Sequence, residues 1–247
     1  MIRGFYSAVS AMLANLSRQE ALAHNISNID TPGFRQTLLS LEDFKYITAQ
    51  DVDANGDIRT LGRLGLGVEA SDEMIDFTLG ALSMTGQSLD AAIEGEGFFT
   101  IRTDDGLRYS RDGRFARDAD GQLVTVEGHF VADVNGNAIT LPDGEVEIET
   151  DGTILVDGTE IAQLGLAVFE DPEAELVRDL PNLFAAESTP LAGETVVVRQ
   201  GCLESANADP VQLMTQMVQV SRAYEAAQRM VQIQDELLGQ TIASLGR

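Results

Sequence analysis

Residues 209–245 read DPVQLMTQMVQVSRAYEAAQRMVQIQDELLGQTIASL, and the apolar residues in this stretch keep a seven-residue beat. Met217, Tyr224, Val231, Leu238 and Leu245 fall one heptad apart, with Leu213, Val220 and Ala227 on a second seam, so one helix face is apolar along most of the stretch. Asp209 can cap the free N–H groups, Pro210 suits the first helical position, and Gln212 completes a capping-box spacing. At a rise of ~1.5 Å per residue, a helix from Pro210 to Leu245 spans about 54 Å. A face of that length requires a partner.

The nearest candidate lies at the other end of the chain. Ile2, Phe5, Val9, Met12, Leu16, Ala23 and Ile26 recur at helical spacings, which predicts an amphipathic helix to about Ile29. Asp30-Thr31-Pro32-Gly33 ends it with a proline that cannot continue a helix and a glycine suited to the turn. An isolated pair of helices leaves broad apolar faces only partly covered, so further copies of the chain are expected to supply the rest.

Charge separates the ends from the middle. Residues 1–35 carry a net +1 and residues 201–247 a net −2, which leaves −23 of the total −24 to the segment between them. Such acidity repels nucleic-acid phosphates and anionic lipid, and neither is an expected partner. No run approaches the ~18 unbroken apolar residues of a membrane span, and the first residues lack the pattern of a cleaved secretory signal. Cys202 is the only cysteine, which excludes an internal disulfide and reads as an inert thiol.

From Gln36 to about Gly86 glycines interrupt the periodicity, predicting a connecting segment with short extended pieces. Asp51-Val52-Asp53-Ala54-Asn55-Gly56-Asp57-Ile58 matches the start of a calcium-binding loop, but the twelfth position is Gly62 instead of a bidentate glutamate, so an ordinary acidic turn is the better reading. From Leu89 to Gln200 the chain becomes short strands between tight turns. Asp105-Gly106, Asp112-Gly113, Asp120-Gly121, Asn135-Gly136, Asp143-Gly144, Asp151-Gly152 and Asp157-Gly158 are each expected to supply positive φ. In Glu145-Val146-Glu147-Ile148-Glu149 the alternation turns Val146 and Ile148 inward and leaves the carboxylates in water.

No catalytic constellation emerges. His24 and His129 are isolated and lack metal-binding spacing, and there is no nucleophile elbow, phosphate-binding glycine loop or dinucleotide fingerprint. No enzyme activity, cofactor or metal site is expected. The fold class expected is α+β: long terminal helices packed as a discontinuous helical domain (1–35 with 205–247), a connecting segment (36–87) and a central antiparallel β-rich domain (88–204).

Several blocks in order along the chain resemble the flagellar basal-body rod and hook proteins: Ala8-Val9-Ser10-Ala11-Met12; His24 to Phe34 with Asn25, Asn28 and Gly33; Ser88 to Phe99 with Gly95, Gly97 and Phe98; Tyr109 to Phe115 with Arg111 and Gly113; Gly201 to Asn207 with Leu203 and Glu204; and Arg222-Ala223-Tyr224-Glu225. Ser205, Ala206 and Ala208 depart from the usual pattern there. The resemblance implies a structural subunit of the rod, exported without signal cleavage through the flagellar export apparatus, with copies of itself and other rod and hook proteins as partners in the basal body. Hook proteins usually carry a further outer domain for which 247 residues leave little room, which favours a rod subunit. Phe5, Val9, Met12, Leu16, Ile26, Leu213, Met217, Val220, Tyr224, Val231, Leu238 and Leu245 are the residues expected to pack subunits. The competing reading is a secreted, non-catalytic β-rich module that binds calcium or a glycan.

Overall fold

The computed structural model describes residues 2–43, 46–52, 58–65, 67–186, 188–192 and 196–245. The acidic loop around 53–57 lies outside them. The helices are α1 (Ile2–Ser27), the short α2 (Pro172–Glu175) and α3 (Pro210–Leu245). The last has the bounds its capping residues predict, whereas α1 stops two residues early, where the turn chemistry of residues 28–33 takes over. The chain forms two units. One combines Met1–Ile26, Thr37–Met74 and Pro210–Arg247; the other combines Ser27–Gln36 and Ile75–Asp209.

In the helical unit α1 packs with α3. Gly4 lies against the Gln234 carboxamide, and an antiparallel course from that point brings Ala21 to Asn25 level with Leu213 and Met217. That course matches burial. Leu213, Val220 and Ala227 are buried on α3 at intervals of seven, opposite buried Ala14, Ala21 and Leu22 on α1. The segment 37–74 belongs to this unit and contains more strand than its glycines suggest. Tyr46–Val52 and Ile58–Gly65 form an antiparallel hairpin with a bulge at Ala49/Gln50, and Leu41–Asp43 pairs with Val68–Ala70. Gly62 and Gly65 sit in ladder positions, because glycine weakens a strand without forbidding one. Two side chains of α1 fasten this segment. Asn25 both donates to the Thr37 carbonyl and accepts its N–H at 2.8 Å, as a neighbouring strand would, and Ser10 Oγ accepts the Val68 N–H.

The β unit is antiparallel throughout its named pairings. Its main sheet runs Phe115–Arg117, Leu123–Thr125, Phe130–Val131, Phe98–Thr103, Gly106–Ser110, Leu183–Ala186, Leu176–Leu180, with Leu166–Val168 also beside Phe98–Thr103. Val146–Ile148, Thr153–Val156 and Thr159–Gln163 make a smaller sheet. Phe99, Ile101, Phe115, Leu123, Ile139, Leu141, Ile148 and Ile154 centre one apolar cluster, and Phe98, Tyr109, Phe169 and Phe184 a second. Ile148 is buried between exposed Glu147 and Glu149, as the alternation predicts. Six of the seven predicted turn glycines have positive φ; Gly113 does not. Its need is close approach, since a Cβ there would lie 1.6 Å from the Ala91 carbonyl oxygen.

Candidate functional site

Two features of the molecule stand out: the helix faces of one unit and a buried polar cluster within the other. On α3 every seam position from Leu213 to Thr241 is buried or half-buried, alternating at intervals of four and three, so the seam is covered within the chain. Phe5, Val9, Met12, Ile26, Met217, Tyr224, Val231 and Leu238 are half-buried, Leu213 and Val220 are buried, and Leu16 is exposed. The Leu245 side chain lies outside the described part. A further set of large apolar side chains remains in water: Tyr6 and Leu13 on α1, and Val211, Met214, Val218, Met230, Ile233, Leu237 and Ile242 on α3. At 100° per residue, Val211, Met214 and Val218 fall on one flank of the seam and Met230, Ile233 and Leu237 on the other. The heptad count marks the seam but passes over these residues, which its positions do not include.

The second feature lies wholly in the β unit. Glu204, 2% exposed, receives Arg35 Nη1 at 2.7 Å on one carboxylate oxygen and Arg111 Nη1 at 3.1 Å on the other. Gly80 N–H donates to the first oxygen at 2.7 Å. Arg111 also donates to the carbonyls of Ile93 and Gly95. Three charges withdrawn from water cost several kcal/mol each unless they are paired and hydrogen-bonded, which these are. Burial pushes the Arg111 guanidinium down to about 10, with the charge of Glu204 pulling the other way, so it stays protonated at neutral pH. The guanidiniums of Arg35 and Arg111 line a hollow of about 320 Å³ with Phe77, Phe98 and Phe169, and their Nε atoms have no partner among the described residues. A hollow of that size has room for bridging water.

Main-chain bonds zip the same two segments together. Gly33 N–H donates to the Glu204 carbonyl at 2.7 Å, Asn207 N–H to the Phe34 carbonyl, and Gln36 N–H to Asn207 Oδ1. The Asn207 amide then donates to the Asp76 and Thr78 carbonyls. Gly33 has φ +68 and its missing Cβ would lie 2.3 Å from the Arg111 carbonyl carbon. Phe34 is fully buried under the Arg178 guanidinium, which also stacks on Phe184. Burial alone would raise the Asp76 carboxyl, but hydrogen bonds from Gln36 and Thr78 and the charge of Arg35 hold it below the usual carboxylate range. Behind Arg111, Asp112 takes a bidentate pair from Arg114 and a bond from Asn182.

Gly33, Phe34, Arg111, Glu204 and Asn207 thus come from separate sequence blocks into one cluster, with Gly95 supplying a carbonyl to Arg111, whereas Gly113 packs against Ala91 and Leu203 pairs with Ser83. Gly97, Phe98, Phe99 and Phe115 belong to the β core beside it. Gly201, at φ +71, turns the chain between strands Val197–Gln200 and Cys202–Glu204. Asn25 and Tyr224 lie in the helical unit, Asn28 accepts the Thr31 N–H in the turn after α1, and Glu225 sits on the exposed side of α3, paired to Arg229. Arg35, Asp76 and Asn182 go unnoticed in the sequence. A partial signal was present: Arg111 and Glu204 fall inside two of the blocks, and Arg35 directly follows a third.

Two long helices at the ends of the chain and a separately cored antiparallel β unit define an α+β protein whose helices keep apolar flanks in water. The N-terminal residues 5–35 match "Flagella basal body rod protein", residues 92–156 match "Flagellar hook protein FlgE/F/G D1 domain", and residues 199–245 match "Flagellar basal body rod FlgEFG protein C-terminal". The flagellar basal-body rod protein FlgF of Rhizobium meliloti is 32% identical over 250 residues, covering 100% of this chain and 99% of the relative. FlgF of Caulobacter vibrioides is 30% identical, covering 96% and 98% respectively. FlgG of Agrobacterium fabrum is 34% identical, covering 96% and 97%. The chain belongs to the flagellar basal-body rod protein family, FlgF/FlgG type: it is a non-catalytic structural subunit of the rod.

Proposed function

We propose that copies of the chain polymerise helically through their terminal helices, and that the exposed flanks of the α1–α3 pair are the surfaces on which neighbouring subunits meet. The observation that carries this reading is the row of large apolar side chains left in water on a helix whose seam is already covered. Charge supports it. The segment from Pro210 to Ser221 carries no charged residue and neither does Gly4 to Ser17, whereas the acidic middle of the chain repels its own copies. Flanks on two sides of one seam suit two different neighbours, and a heterologous contact of that kind builds a helical filament when its rotation does not close. Family membership supports other rod and hook proteins as further neighbours and the flagellar export apparatus as the carrier that delivers the chain.

Burial at about 25 cal/mol per Å² over repeated contacts then stabilises helices that gain little from propensity alone. The test is electron microscopy of concentrated full-length protein beside a chain truncated before Asp209. Ordered tubes from the first and none from the second are expected, and tubes from both would overturn the assignment. Hydrogen exchange on dilute monomer gives a second reading: fast exchange in α1 and α3 beside a protected β unit is expected, and strong protection of both helices without any oligomer would contradict it.

A further inference from the structure

We propose that the hollow beside Arg35 and Arg111 binds a small zwitterion with an apolar body, of the class of the free apolar amino acids. Its carboxylate meets the guanidiniums at the floor, its side chain lies along the phenyl rings, and its ammonium faces the acidic mouth. Every residue of the site belongs to the β unit, so the site does not depend on how the helices assemble.

The floor is cationic and only half answered. Arg35 is 1% exposed and Arg111 3%, and Glu204 is the one carboxylate in ion-pair contact with either among the described residues. Two positive charges therefore share one negative charge out of water, where an unanswered charge is costly. Of the three nitrogens of Arg35 only Nη1 has a partner among the described residues, and the Nε atoms of both arginines are buried and unpartnered. A ligand carboxylate supplies acceptors for such donors, in the planar geometry that a guanidinium favours. Asp76 does not fill this place. Its charge reaches Arg35, but Gln36 Nε2 and the Thr78 N–H hold its two oxygens.

The walls are apolar. Phe98 and Phe169 are buried and Phe77 is half-buried, with ring centroids 6.0 Å apart for Phe77 and Phe98 and 5.8 Å for Phe98 and Phe169. The Arg111 guanidinium lies 5.3 Å over the Phe98 ring. Water alone fills such a space poorly, because a buried water needs about two to four polar partners and the rings offer none. At about 320 Å³ the hollow is at the small end of ligand pockets, which suits one amino acid. The mouth then reverses the charge. Glu96, Glu170, Asp171 and Glu173 line it, all are exposed, and none forms an ion pair among the described residues. A simple anion is repelled at the mouth and a simple cation at the floor. A molecule that carries both charges satisfies each end.

Calorimetry on the full-length chain tests this with three probes that share one ring: L-phenylalanine, phenylpropionate, which lacks the ammonium, and phenethylamine, which lacks the carboxylate. Phenylalanine is expected to bind one per chain with a Kd below about 1 mM and to raise the melting temperature of the β unit. Each single-charge analogue should bind at least about tenfold more weakly. No saturable binding of phenylalanine in that range overturns the proposal, and so does either analogue binding as tightly. The place of binding is read from the rim. Glu96→Gln, Glu170→Gln and Glu173→Gln together change exposed side chains and leave Asp171, which caps α2, untouched. Phenylalanine affinity is then expected to fall about tenfold while that of phenylpropionate rises. Arg35→Gln should abolish binding of both. Where its melting curve shows that Arg35→Gln does not fold, the rim variant decides alone: unchanged affinity for phenylalanine puts the ligand elsewhere and overturns the proposal.

Discussion

The helical unit and the β unit bury different kinds of surface, and the difference separates a unit with a dense aromatic core from one that leaves large apolar side chains in water. The β unit withdraws Phe98, Phe99, Phe115, Phe169 and Phe184 with a dense aliphatic core. The helices withdraw three alanines, Ala14, Ala21 and Ala227, with only Leu22, Leu213 and Val220 as larger apolar groups, and leave Met214, Val218, Met230 and Ile233 in water. Stability in the first unit comes from packing within the chain. In the second, the side chains left in water are the ones that the proposed contacts between chains would cover.

The largest expected effect falls on the β unit. Phe99→Ala removes a fully buried ring that packs edge-on against Phe115, and should lower the unfolding free energy by ~3–5 kcal/mol in urea titrations. Leu213→Ala is the matched change in the helices. It should leave the β transition in place and weaken assembly instead; a loss of comparable size in the β transition would erase the distinction between the units. A charge on the seam comes next. Val231→Glu or Leu238→Glu should cost each helix pair about 1–3 kcal/mol, multiplied at every subunit of a polymer. Sedimentation should therefore show lost assembly while the β unit melts as before.

How much of this was legible in the sequence follows from the range of the interactions. The bounds and seam of α3 could be read because Pro210 and the heptad act within one or two turns, and the β unit because Asp-Gly pairs fix their own φ angles. Gly113 was misread for the converse reason: its dihedral is ordinary, and the Ala91 carbonyl that excludes a side chain is brought there by the fold. Arg35 and Glu204 are 169 residues apart, and a single ion pair leaves no period to detect. The blocks resembling the rod family marked Arg111 and Glu204 but passed over the arginine that completes the pair. Tyr46–Val52 and Ile58–Gly65 read in the sequence only as short extended pieces of a connecting segment, because local glycine content says nothing about a ladder between two partners.

Acid should act on the β unit more than on the helices. Asp76 is held below the usual carboxylate range despite its burial, and Asp151 is lowered by the Thr153 backbone N–H. A carboxyl lowered in the folded state contributes stability that is complete above its unfolded pKa, near 4, and is lost as pH falls through the folded value, because the unfolded chain then binds more protons. The melting temperature of the β unit should fall as pH drops below about 4, and Asp76→Asn should flatten that dependence. An unchanged slope in Asp76→Asn would remove this carboxyl from the acid response.

The smallest effect separates an exposed charge from a contact. Glu225 lies in the block Arg222-Ala223-Tyr224-Glu225 that resembles the rod family, yet its side chain is 61% exposed and its ion pair among the described residues is the i,i+4 contact to Arg229 at 3.4 Å. Such a pair contributes about 0.3–0.5 kcal/mol to a helix, and Glu225→Gln should change helix content in the free chain by no more than that. Polymerisation gives the second half of the comparison. If Glu225 only solvates α3, the variant should assemble at nearly the parent's critical concentration, with a slight increase that high salt removes in both. A rise of tenfold or more would instead place Glu225 against a neighbouring subunit, where desolvation raises the value of a charge. The assembling surface would then extend from the apolar flanks of α3 onto its charged middle.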